Sequence, residues 1–169
     1  MTNNEDVICV DVIPFDERIP IEQLKGLAKK WFKKKYITHD KDGNPVPLTK
    51  RNCGTGKDIE ITGSGIGKAI SVARNADVIY SMEALPEMIE RMKYKRSLPP
   101  KTDENGNPLD KTLRSVDIYL LNVRVRGTMY KAKFYVKERV EGGEKTRRIE
   151  KLSYYTHKFI DEEDEDYDP

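Results

Sequence analysis

From Arg114 to Ile160, apolar and polar residues alternate with a period close to two. In the first segment Val116, Ile118, Leu120 and Asn122 alternate with Asp117, Tyr119, Leu121 and Val123. In the second, Met129, Lys131, Lys133, Tyr135 and Lys137 oppose Tyr130, Ala132, Phe134 and Val136. That is the signature of a half-buried strand with a lysine-rich outer face. Arg126-Gly127 separates the first two segments, and Glu141-Gly142-Gly143-Glu144 the second and third. Glycine enters positive φ without penalty, so both read as tight turns. The pattern predicts three antiparallel strands in a meander.

The apolar face of such a sheet must be covered, and the preceding residues supply the cover. Residues 7–13, VICVDVI, read as a short buried strand ended by Pro14. After Pro20, the residues Ile21, Leu24, Ala28, Trp31 and Phe32 recur at helical spacing, while Lys25, Lys29, Lys30, Lys33, Lys34 and Lys35 cover the other faces. Asp58 to Thr62 alternates as a strand. Ile66, Ala69, Ile70 and Ala73 then form a helical stripe that Ser64 can cap. Glu83 to Tyr94 gives a further helix with Leu85, Met88, Ile89 and Met92 inward. Arg96 to Thr112, with Pro99-Pro100 and a turn at Glu104–Pro108, reads as a long loop; a similar turn at Asp40–Pro45 shares its chemistry but not its flanks. The expected fold is α+β, an antiparallel sheet with two to three amphipathic helices on one face. Residues 1–160 make one domain and 161–169 an acidic, disordered tail.

Charge changes this picture in one respect. The net charge of +2 conceals a tail, DEEDEDYDP, with seven acids; without it 31 basic residues face 22 acidic ones. A basic body suits a polyanionic partner, and the tail is either a solvated screen, an electrostatic mimic of that partner, or a solubilising end. The lysines of the first helix are either a solvated face or a phosphate-contacting surface. No apolar run approaches a membrane span. The N-terminus lacks the form of a signal peptide, and Cys9 and Cys53 read as reduced thiols. These features predict a cytoplasmic chain with no membrane partner.

Gly63, Gly65 and Gly67 around a helix start, with Ser64 and Lys68, leave backbone N–H groups for an anion, or simply shape a strand-to-helix turn. There is no GxxxxGK[ST] loop, no HExxH, no paired Cys-x-x-Cys and no nucleophile elbow. Nothing in the sequence asks for a metal or another cofactor.

Five short stretches carry a resemblance. They are Thr55–Ile61 (TGKDIEI), Gly65-Ile66-Gly67-Lys68, Ala84-Leu85-Pro86, Gly127 with Tyr130, and Tyr154-Tyr155-Thr156-His157-Lys158. In these the chain resembles the large polyvalent protein-associated domains, the type-three sort in particular, found in phage and mobile-element proteins. The resemblance implies a barnase–EndoU–colicin–RelE-like nuclease fold, with helices on one face of a curved antiparallel sheet and the active site on the open face. It also implies metal-independent ribonuclease or toxin activity, with RNA as partner and an immunity protein or parent polyprotein alongside. Where that pattern often ends in Tyr-Asp-His, this chain has Tyr155-Thr156-His157 and lacks the carboxylate that would orient the histidine.

Cleavage by 2′-hydroxyl attack needs a proton acceptor, a proton donor and cations for the phosphorane. Of the two histidines, His157 suits acid–base duty, while His39 precedes a turn and is expected to be merely exposed. Lys68 and Arg124 or Arg126 are candidate phosphate clamps. Tyr155 or Tyr130 is a candidate for stacking a base or placing a proton. Ser64, Gly65, Gly67 and Lys158 complete the substrate-binding candidates. Three readings stay open: a ribonuclease-like effector, a non-catalytic nucleic-acid-binding module, and a structural interaction module of a polyprotein.

Overall fold

The computed structural model describes residues 7–141 and 149–167. Strand β1 (Val7–Val10) leads to helix α1 (Ile21–Tyr36), which starts after Pro20 and buries Leu24, Ala28, Phe32 and Tyr36 along one stripe. Two short strands, β2 (Thr38–His39) and β3 (Pro45–Val46), close a small hairpin around the Asp40–Pro45 turn. Strands β4 (Leu48–Arg51) and β5 (Asp58–Ile61) then run into helix α2 (Gly63–Ser71). The N-cap is Thr62 and not Ser64: the Gly65 N–H donates to the Thr62 hydroxyl at 3.2 Å, and Ser64 is left exposed. Helix α3 (Ala76–Ser81), a 3₁₀ turn (Met82–Ala84) and helix α4 (Leu85–Arg91) follow. The helix expected over 83–94 thus begins as the 3₁₀ turn, restarts at Leu85-Pro86, where proline is tolerated, and yields to strand β6 (Lys93–Leu98).

The meander is there. Strands β7 (Leu113–Val125) and β8 (Thr128–Glu141) join through Arg126-Gly127, and β8 pairs antiparallel with β9 (Ile149–Ile160). Both turn residues are left-handed, Arg126 at φ 50° and Gly127 at φ 84°, as a two-residue hairpin turn requires. The second expected turn, Glu141–Glu144, falls mostly outside the described residues. The sheet is a curled half-barrel in the order β1-β7-β8-β9-β5-β4, with β6 also on β7. It is not purely antiparallel, because β1 pairs with β7 and β5 with β9 in parallel. Helices α1 to α4 cover one face, and Ile59, Ile66, Ile79, Leu85, Tyr119, Phe134 and Tyr154 meet there in the core. Complete burial of side chains this size contributes about 1.5–3 kcal/mol each. No helix among the described residues is long and apolar enough to cross a membrane.

One buried amide holds the β4–β5 loop to α4. Asn52, fully buried, donates to the carbonyls of Ile89 and Met92 at 2.8 Å each and accepts from the backbone N–H groups of Gly54 and Thr55. Substituting Asn52 by alanine would leave buried carbonyls without partners, at about 1–3 kcal/mol for each group orphaned. The expected result is a lower urea midpoint with an unchanged denaturant slope.

The acidic segment is described as far as Tyr167. Residues 161–167 turn back against the sheet, and Asp166 is 2% exposed because Arg96 and Lys133 hold its carboxylate.

Candidate nucleic-acid interface

Strand alternation sends Tyr119, Leu121, Val123, Ala132, Phe134 and Val136 towards the helices. Their neighbours along the chain therefore point to the open face. There β8 presents Lys131, Lys133, Tyr135 and Lys137, and Lys158 of β9 stands opposite Lys133. A one-residue irregularity in β9 sets Tyr154 against Val136 but Thr156 against Tyr135, so Tyr155 is the extra residue. Its ring turns outward on this face.

The two outward tyrosines are each flanked by two lysines. Lys137 Nζ lies 3.8 Å from the Tyr155 ring centre and Lys68 Nζ 6.0 Å. Lys133 and Lys158 lie 5.5 and 5.9 Å from the Tyr135 ring. Beside both rings the 99–113 segment folds over the sheet and closes a groove of about 420 Å³. Leu98, Pro99, Leu109 and Val116 give it an apolar floor, and Lys101 and Lys137 line its edge. Flat aromatic faces beside an apolar slot, ringed by ammonium groups, can stack a base and pair with its phosphate.

Of the residues singled out in the sequence, Lys68, Tyr155 and Lys158 are brought to this face. His157 is not. The irregularity in β9 reverses the alternation after Tyr154, so His157 enters the core with Tyr154 and stacks on Phe134 at 5.0 Å between ring centres. Its Nε2 is 2.7 Å from the Ser81 hydroxyl, which itself donates to the Val78 carbonyl at 2.6 Å. Nε2 must therefore donate, and the Tyr154 hydroxyl donates to Nδ1 at 2.6 Å. Burial lowers the imidazole pKa to about 3. A carboxylate at position 156 would point to the opposite face from His157. Ser81 and Tyr154 orient the ring instead.

Arg126 and Tyr130 gather elsewhere, around Asp77 in the first turn of α3. Arg126 Nη2 is 2.9 Å from Asp77 and its guanidinium lies 4.8 Å from the Tyr80 ring, while the Tyr130 hydroxyl also bonds Asp77. Arg124 is exposed on β7 opposite Met129, eight positions along β8 from Lys137, or roughly 26 Å. The residues proposed as one cleaving group thus occupy three separate places. Gly65 and Gly67 serve packing: α2 crosses the edge of β9 at Gly65, and the Lys33 side chain lies over Gly67. His39 is exposed and, with Lys33, Lys34 and Gly63, lines a second, shallow basic groove.

The residues that sequence reasoning passed over are Tyr135, Lys133, Lys137 and Arg96. The lysine alternation along β8 signalled the first three. Nothing in the loop-like reading of 96–112 signalled Arg96. Two buried carboxylates, Asp117 and Glu138, also meet on the helix side, both bonded by Ser115, with Ser97 and Tyr94 beyond. Burial raises the Glu138 pKa. The described residues hold no group of three or more side chains suited to a metal ion.

The family model of the large polyvalent protein-associated domain 3 covers residues 20–155. No curated protein and no solved structure matches.

Proposed function

Since the chain belongs to the large polyvalent protein-associated domain 3 family, we propose that it binds single-stranded RNA on the open face of its sheet, as a module of a phage or mobile-element polyvalent protein. The phage or mobile-element setting goes with the family. The observation that carries the binding reading is the Tyr135–Tyr155 pair, each ring flanked by two lysines beside an apolar groove. Single-stranded nucleic acids are commonly held this way, with bases on aromatic faces and the backbone along cations. In this reading Lys68, Lys137 and Lys158 contact phosphates, Tyr135 and Tyr155 stack bases, and the parent polyprotein is the other partner. The ribonuclease chemistry implied by the resemblance has less support, because His157 is buried, neutral and already bonded at both ring nitrogens.

Fluorescence anisotropy with a labelled twelve-nucleotide oligouridine tests this. Base stacking is worth about 1–3 kcal/mol per base, so Tyr135→Ala and Tyr155→Ala should each weaken binding roughly fivefold to a hundredfold. Each phosphate neutralised contributes about −0.7 to the salt slope for a single strand, so affinity should fall steeply between 50 and 200 mM salt. Affinity indifferent to salt, or unchanged in both tyrosine variants, would remove the reading. RNA recovered from the titration in EDTA should be intact; 2′,3′-cyclic ends would favour cleavage instead.

A further inference from the structure

The face that carries Tyr135 continues into a second cationic site, and in this chain it is already filled. Arg96 on β6 forks around Asp166, with Nε 2.7 Å from Oδ1 and Nη2 3.0 Å from Oδ2. Lys133 Nζ closes on the same carboxylate at 2.6 Å and reaches Asp164 at 3.1 Å. Arg96 also holds Glu165 at 2.7 Å, and Lys158 lies 4.0 Å from Asp164. A planar guanidinium and an ammonium converging on one anion form a site that suits a phosphate as well as a carboxylate. It adjoins the stacking platform, because Lys133 is shared between Asp166 and the Tyr135 ring.

What holds residues 161–167 in place is almost entirely charge. Asp166 is the one buried residue among them, and Tyr167 is 36% exposed. The segment therefore brings little apolar burial of its own. Ion pairs of this kind roughly break even against the cost of desolvating their partners. A polyanion that presents the same charge in the same place can replace them, and Lys133 returns to a charged partner when it does.

We propose that Arg96 and Lys133 are a phosphate-binding subsite of the open face, and that Asp166 occupies it as an internal competitor until an RNA strand displaces residues 161–167. This rests on the RNA-binding reading above. It adds two cations to the footprint and makes the acidic segment a built-in brake on affinity.

The test compares the full chain with its Asp164→Asn/Glu165→Gln/Asp166→Asn variant, using the same labelled oligouridine across a salt series. The variant should bind at least tenfold more tightly, with a salt slope steeper by about 1.4 for two further phosphates. In parallel, hydrogen exchange on the unaltered chain should show the backbone amides of Asp164, Asp166 and Tyr167 exchanging faster once saturating oligouridine is added. Those amides bond within the segment at 2.9–3.0 Å while it is folded down. Equal affinity and slope in a folded variant would overturn the subsite and leave the tyrosine groove standing. Slower or unchanged exchange on RNA binding would overturn it as well, whether or not the variant folds. Binding by neither protein would instead defeat the RNA-binding reading itself.

Discussion

Replacing His157 by alanine should lower the unfolding free energy by about 3–5 kcal/mol, the range for deleting a large buried ring. The side chain is fully buried against Phe134, and its loss leaves the Tyr154 hydroxyl with Met82 Sδ at 3.8 Å as its remaining contact. The same burial makes stability depend on acidity. Folding lowers the imidazole pKa from 6.5 to about 3. The contribution of this residue is complete above pH 6.5 and is lost as pH falls towards 3, by about 1.4 kcal/mol per unit. Denaturant midpoints at pH 7 and pH 5 should therefore differ, and His157→Gln, which cannot titrate, should flatten that difference. NMR of the ring should show the neutral Nε2–H form still in place at pH 5. Titration of His157 near 6.5 would contradict its burial and reopen acid–base chemistry at this position.

Gly65→Ala should be similarly damaging, at about 3 kcal/mol or more, for a different reason. A Cβ there would stand 2.2 Å from the Tyr154 carbonyl oxygen. Alanine favours a helix over glycine by about 1 kcal/mol, so intrinsic propensity points the other way. The clash is with backbone and cannot be relieved by a rotamer, so α2 would have to lift from β9 and loosen Ile66, Ala69 and Ile70, all buried between helix and sheet. A thermal melt settles the sign: a variant as stable as the parent chain would show that helix and strand do not meet this closely. Gly63→Ala, with open space around its Cβ, is the control.

Much of this fold could be read from the chain, because the long elements repeat their patterns many times over. The period of two through β7 and β8 and the stripe of α1 needed no tertiary information. Helix α3 spans only Ala76–Ser81, too short to display a helical period, and Lys93–Leu98 alternates so weakly that β6 passed for the end of a helix and the start of a loop. Parallel pairing of β1 with β7 and β5 with β9 joins segments far apart in sequence, which local pattern cannot encode. The site suffered most from a single residue. Uninterrupted alternation after Tyr154 would put His157 outside, and the irregularity at Tyr155 puts it inside. Tyr155, next to inward Tyr154, faces outward with or without the irregularity, so the shift removed the expected base from the surface and left the stacking ring where alternation puts it.

The pairing of β1 with β7 has a consequence for the order of events during synthesis. Asn122, the partner of Val7, is polymerised more than a hundred residues after it. At translation rates of 5–20 residues per second, that delay is on the order of ten seconds. Throughout it, Val7–Val10 lacks its partner strand. The β7–β8 hairpin, by contrast, needs only Arg126-Gly127 and its immediate flanks to nucleate. Of this domain's strands, the one made earliest is thus among the last to find its partner, and its sheet edge stays open for most of the domain's synthesis.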